Sequence, residues 1–252
     1  MDSIWMVLGL ALLPALGNFG GGLVAEVSRT TGGRLNYALH GAAGLVIAVV
    51  AVEIMPRVLE SLSAWLIALS FALGGIAYIG IEKLVEAIQR RQDQQGDSDQ
   101  TSVWMIYIAV SIDLFGDGLL VGAGSAVSLS VALILAVGQV LADIPEGFTA
   151  IANMKDKGFP RSKRLLLSAS FAIPALSAAV FAYFVLSNQP EAFKFAALTF
   201  TAGLLTVAAI EDMISEAHES VDDTHASPLA FVGGFVLFVL VSAGLEGVVP
   251  QG

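Results

Sequence analysis

Asp113 and Asp117 stand four residues apart in one apolar run, and Gln139, Asp143 and Glu146 follow at spacings of four and three in the next. On a helix these spacings put the side chains of each set on one face. Ionised carboxylates accept but do not donate, and they bind hard cations through oxygen. Acid pairs inside a membrane also serve as proton relays. No Lys or Arg lies in either run, so a bound cation or protons must supply the positive charge. Four carboxylates on two consecutive hydrophobic helices can hardly all face lipid, and the two faces are expected to meet in a polar seam. The alternative is a set of protonated, hydrogen-bonded acids that only hold helices together.

The elements that must position these acids are membrane spans. The 252 residues are 56% hydrophobic and 13% charged, with a mean hydropathy of +0.79; soluble domains carry about 25% charged residues. The apolar surplus is spread along the whole chain, which points to a bilayer as solvent. A spanning helix needs about 20 mainly apolar residues, and eight candidates occur at 3–24, 35–55, 64–81, 102–122, 129–152, 165–186, 192–214 and 229–245. They must be helical, because lipid cannot satisfy an open backbone, and no ten-residue alternating segments suggest a β-barrel. The first run lacks a basic flank, since Asp2 is the only charge before Glu26. It reads as a mature span and not a cleaved signal. The expected fold is an all-α integral membrane protein forming one membrane domain over 1–252. Spans one to three fall in 3–86, a polar linker in 87–101, spans four and five in 102–153, and spans six to eight in 165–245.

Basic residues set the orientation. The connections after odd-numbered spans hold Arg29, Arg34, Lys83, Arg90, Arg91, Lys155, Lys157, Arg161, Lys163 and Arg164, ten of the chain's 12. Those after even-numbered spans hold Arg57 and Lys194. Odd connections are therefore expected in the cytoplasm, with both termini outside, in a cell inner (plasma) membrane. The net charge of −10 with few basic residues argues against nucleic acid as a partner. The chain has no cysteine, so disulfides and thiolate metal sites are excluded.

Further polar residues punctuate the spans. Ser111 precedes Asp113 by two. Glu53 lies near the end of span two, and the Glu211–Asp212 pair near the end of span seven. His218 belongs to an acidic stretch over 216–225 that also contains His225. Each reads either as a solvated interfacial residue or as part of an ion pathway. Lone interfacial His40 reads as solvated. Gly17, Gly20, Gly21 and Gly22 in span one favour close helix packing. Pro145, flanked by Asp143 and Glu146, favours a helix disturbed beside a pathway.

Four places resemble the ZIP (ZRT/IRT-like) divalent metal transporters, bacterial branch. Asp113-Leu114-Phe115-Gly116-Asp117-Gly118 is similar to their His-Asn-Phe-x-Asp/Glu-Gly. Ala142-Asp143-Ile144-Pro145-Glu146-Gly147 is similar to Gln/His-Asp/Asn/Glu-Ile-Pro-Glu/His-Gly and is the most specific match. Glu211-Asp212-Met213-Ile214-Ser215-Glu216-Ala217-His218 resembles His-Glu-x-Ile-Pro-Glu-x-His, and Glu53-Ile54-Met55-Pro56 resembles an acidic-Pro turn. The departures are Asp113 for a ligating His, Leu114 for a ligating Asn, Ala142 for a polar ligand and Ile173 for a frequent Glu.

The resemblance implies an inverted 3+2+3 arrangement around spans four and five, a homodimer, and a divalent cation as substrate. It implies one sound ion position at Asp113, Asp117 and Glu146, and a degraded one at Asp143 with shared Glu146. On that mapping Glu146 outranks Asp143 in importance. Gln139, Ser111, Glu53, Glu211, Asp212 and His218 are candidates for a secondary or pathway role. The family favours Zn²⁺; the all-oxygen donor set pulls toward Mn²⁺ or Fe²⁺. Two other classes stay open: a proton- or sodium-coupled carrier of a small organic solute, and a non-transporting, metal-sensing relative. No nucleophile–base set or nucleotide loop is visible, so an enzyme is the class least expected.

Overall fold

The computed structural model describes residues 2–28, 32–93, 98–220 and 224–246, and all regular structure among them is helical. Eight stretches are long and apolar enough to cross a membrane: Ile4–Val27, Gly33–Ser61, Ala64–Ile88, Val103–Val127, Leu129–Asp156, Arg161–Leu186, Glu191–His218 and Ala226–Leu245. They match the eight expected spans in order. Several helices outrun their apolar cores. The third span belongs to a helix over Ala64–Asp93, and the fourth to one over Ser98–Val127. Most of the expected polar linker is thus helical, because Gln, Arg and Glu are good helix formers once water satisfies their side chains. Residues 94–97 of that linker and 221–223 of the acidic stretch lie outside the described residues, as do the side chains of Arg29, Arg90 and Arg91.

Spans four and five meet at a turn of one residue. Ser128 is extended (φ −160°, ψ 155°), and its hydroxyl accepts from the Val131 amide at 3.2 Å, capping the following helix. Positions equally far from Ser128 therefore share a depth. Asp117 and Gln139 are each eleven residues away, and Asp113 and Asp143 each fifteen. At 1.5 Å per residue that is about 16 to 22 Å from the turn, near the middle of a hydrocarbon layer about 30 Å thick.

The main helix partners are not sequence neighbours. Span one packs on five, four on six, two on eight and three on seven, while four also touches five and seven, and two also touches five. Exchanging one with six, two with seven, three with eight and four with five leaves this list unchanged. Spans five apart run in opposite directions, so the pairing is that of an inverted repeat, as the resemblance implied.

Glycine makes the closest of these contacts. A Cβ on Gly21 would lie 1.9 Å from the Ile144 carbonyl oxygen, and one on Gly147 would lie 1.9 Å from that of Asn18. The packing role expected for span-one glycine holds for Gly17, Gly21 and Gly22, whereas Gly20 faces open space.

Spans two and seven each contain a π-helical segment, Val49–Ile54 and Ala209–Ile214. These hold Glu53 and the Glu211–Asp212 pair. Span six is interrupted at Phe171, between helices Arg161–Ser170 and Ala172–Leu186. Pro174 lies three residues beyond, where its missing N–H costs little. Span five continues through Pro145 as one helix, Leu129–Asp156.

Candidate functional site

The turn at Ser128 brings the two acidic faces together. Asp113, Asp117 and Asp143 each offer a carboxylate oxygen, all within 4.8 Å of one another. Asp117 and Asp143 are 0% exposed and Asp113 5%. Gln139, also buried, donates its amide to Asp117 Oδ1. Neither oxygen of Asp143, nor Asp117 Oδ2, accepts a hydrogen bond from any protein donor among the described residues. Buried acceptors left in this condition are costly unless something positive reaches them. No Lys or Arg lies between residues 103 and 154. The arrangement can chemically hold a divalent cation or shared protons.

Glu146 sits one turn past Asp143 and on the same cavity as Asp113. That cavity, of about 240 Å³, continues past Asn153, Glu211, Asp212 and Glu216. The cavity leads toward the span ends that carry the 157–160 connection and the helix Ser215–Ser220. Asp117 and Asp143 are wholly buried and are not among its lining residues. Tyr78 of span three donates to Asp212, and Asn153 donates to Glu216 at 2.9 Å.

The remaining candidates divide. Glu211, Asp212 and Glu216 line the cavity with Asp113 and Glu146. Ser111 returns its hydroxyl to the Tyr107 carbonyl at 2.6 Å, an ordinary helical back-bond. Glu53 is 2% exposed and tied to Arg57 at 2.5 Å and to Ser242 at 3.4 Å, apart from the cavity. His218 lies edge-on to His40 with ring centroids 5.6 Å apart. His40 is 5% exposed and bonded through Nδ1 to the Asn36 carbonyl, so it is a buried residue and not the solvated one expected. Leu114 is fully buried among Ala15, Phe171 and Ala175 and brings no oxygen.

Two residues of this region escaped sequence reasoning. Asn18 of span one is 0% exposed and donates to Glu146 Oε2 at 3.3 Å; its only sequence signal is a lone amide in an apolar run. Tyr78 carried no signal beyond being an aromatic residue near a span end.

An eight-span helical bundle of this composition is a polytopic membrane protein. The model of the ZIP zinc transporter family matches residues 82–243, more than half of the chain, and the chain belongs to that family. It is a divalent metal ion transporter, and the ion is its substrate. No curated protein matches the chain.

Proposed function

We propose that the protein carries a divalent cation, Zn²⁺ first and Mn²⁺ or Fe²⁺ next, into the cytoplasm through Asp113, Asp117, Asp143 and Glu146. The observation that carries this reading is the buried triad whose free oxygens have no protein donor. Zinc is supported by the family. Manganese and iron are supported by the oxygen-only donor set. The cavity offers an acid-lined route from Asp113 and Glu146 past three further acids, and the basic residues at that end support a cytoplasmic face. Asp117 and Asp143 are wholly buried beyond this cavity's lining, which supports an arrangement reached from the cavity side. By the same basic bias both termini lie outside a cell inner membrane, and by family resemblance two chains associate.

Purified protein in liposomes containing a metal-sensitive dye tests the function. Zn²⁺ influx competed by Mn²⁺ and Fe²⁺ is the expected result. Binding without flux would point to a sensing relative, and flux of an organic solute indifferent to metal would overturn the reading.

The orientation predicts that a cysteine introduced at exposed Ser162, in a chain that has none of its own, reacts with an impermeant maleimide only after cells are opened. Labelling of intact cells would reverse the sidedness. Leu114, apolar and packed away, predicts one strongly bound ion per chain. Metal analysis of the purified protein should return a ratio near one, and two tightly held ions would contradict it.

A further inference from the structure

We propose that Asn18 is an oxygen ligand to the transported ion, supplied by span one and switched by rotation of its amide. The inference rests on the acidic cluster being the ion site. Asn18 is wholly buried, its Nδ2 lies 3.3 Å from Glu146 Oε2, and its Oδ1 has no donor. A side-chain amide has two faces of opposite polarity. Half a turn about its last bond exchanges N and O and brings Oδ1 to about the same distance from Glu146. Two oxygens so placed repel unless a cation or a proton lies between them, so the NH₂ faces an ionised Glu146 at rest and the carbonyl faces it when an ion is held.

The spacing suits a tetrahedral ion. With metal–oxygen bonds of about 2.0–2.2 Å, neighbouring ligands are about 3.3–3.6 Å apart at tetrahedral angles and about 2.8–3.1 Å apart at octahedral ones. The 3.3 Å separation matches the first. The backbone beneath is fixed, because Gly147 lies directly on the Asn18 carbonyl and Gly17 and Gly21 press on Val140 and Ile144 on either side. The side chain that could have offered an oxygen at position 114 is instead Leu114, packed on Ala15 one turn from Asn18. Span one thereby takes part in the chemistry as well as the packing.

The test titrates Zn²⁺ and Mn²⁺ separately into the full-length protein in lipid nanodiscs. Asn18→Ala should weaken Zn²⁺ binding at least tenfold and Mn²⁺ binding by less, narrowing the preference between them. Asn18→Asp, which keeps an oxygen in place, should restore Zn²⁺ binding to the parent level or beyond. Should Asn18→Ala fail to accumulate, Asn18→Leu, close to it in volume and without an oxygen, replaces it with the same expectations and the same overturning result. Zn²⁺ affinity within twofold of the parent in Asn18→Ala, while Asp143→Asn loses it, overturns the proposal and leaves the acidic site standing. Equal losses for both metals without rescue by Asn18→Asp reduce Asn18 to packing and also overturn it. Absence of Zn²⁺ binding by the parent protein overturns both readings together.

Discussion

Asp143→Asn is expected to remove metal uptake as completely as Glu146→Gln, each to a few per cent of the parent or less. The motif alone ranks Asp143 lower, because its neighbours in the resemblance, Leu114 and Ile173, are not ligands. The geometry argues for giving the two equal weight. Asp143 stands with Asp113 and Asp117 at the buried centre, and both its oxygens lack a donor, whereas Glu146 faces the cavity and already receives Asn18. Two unit charges about 4 Å apart interact by about 4 kcal/mol at an effective dielectric of about 20. Losing half of that lowers ion affinity about 30-fold. Both substitutions keep volume and remove a desolvated charge, so the protein should still reach the membrane folded. The measurement is uptake normalised to membrane abundance. Parent-like uptake by Asp143→Asn beside a dead Glu146→Gln would restore the motif's ranking.

Gly147→Ala, one added methyl, is expected to be among the most damaging small substitutions in the chain. Its Cβ would fall 1.9 Å from the Asn18 carbonyl oxygen, 2.5 Å from its carbon and 2.7 Å from its Cα. All three are backbone atoms, so no rotamer change relieves the clash, and spans one and five must separate along their contact. Overpacking commonly costs about 1–3 kcal/mol, and a clash against fixed backbone belongs at or above the top of that range. The expected outcome is a large fall in monodisperse protein by fluorescence-detected size exclusion, with metal binding lost from what remains because Asn18 and Glu146 move apart. Gly20→Ala, whose added Cβ would meet no atom packed against its helix within 4 Å among the described residues, is the control and should behave as the parent. Equal yields from the two would show that the helices tolerate a wider spacing.

The spans were legible because hydropathy reports the solvent directly, and the acidic faces because a spacing of four on a helix is geometry. The depth match was not read from the sequence, although Ser128, an N-cap residue type between two apolar runs, is the signal that carries it. Helix ends were less legible: residues 89–93 are polar yet helical, and hydropathy marks the membrane boundary, not the end of hydrogen bonding. The π-helical segments at Val49–Ile54 and Ala209–Ile214 had no readable signal, because neither hydropathy nor residue spacing distinguishes them from α-helix. Asn18 and His40 were misjudged or missed for one reason. A single polar residue in an apolar run announces a partner but not which one, and theirs lie on other spans or on the preceding turn.

The partner list also sets a timetable for synthesis. Glu53 reaches Ser242 across 189 residues. At about 5–20 residues per second, span two waits about 10 to 40 seconds in the bilayer before span eight exists. Its carboxylate does not wait uncovered, because Arg57, one turn along the same helix, is present from the start at 2.5 Å. The central acids have no such local cation, but the one-residue turn at Ser128 delivers Gln139 to Asp117 within 22 residues, a second or a few at the same pace. Glu53 is thus paired locally from the start, whereas Asp143, whose oxygens receive no protein donor even in the finished bundle, waits for an ion or a proton.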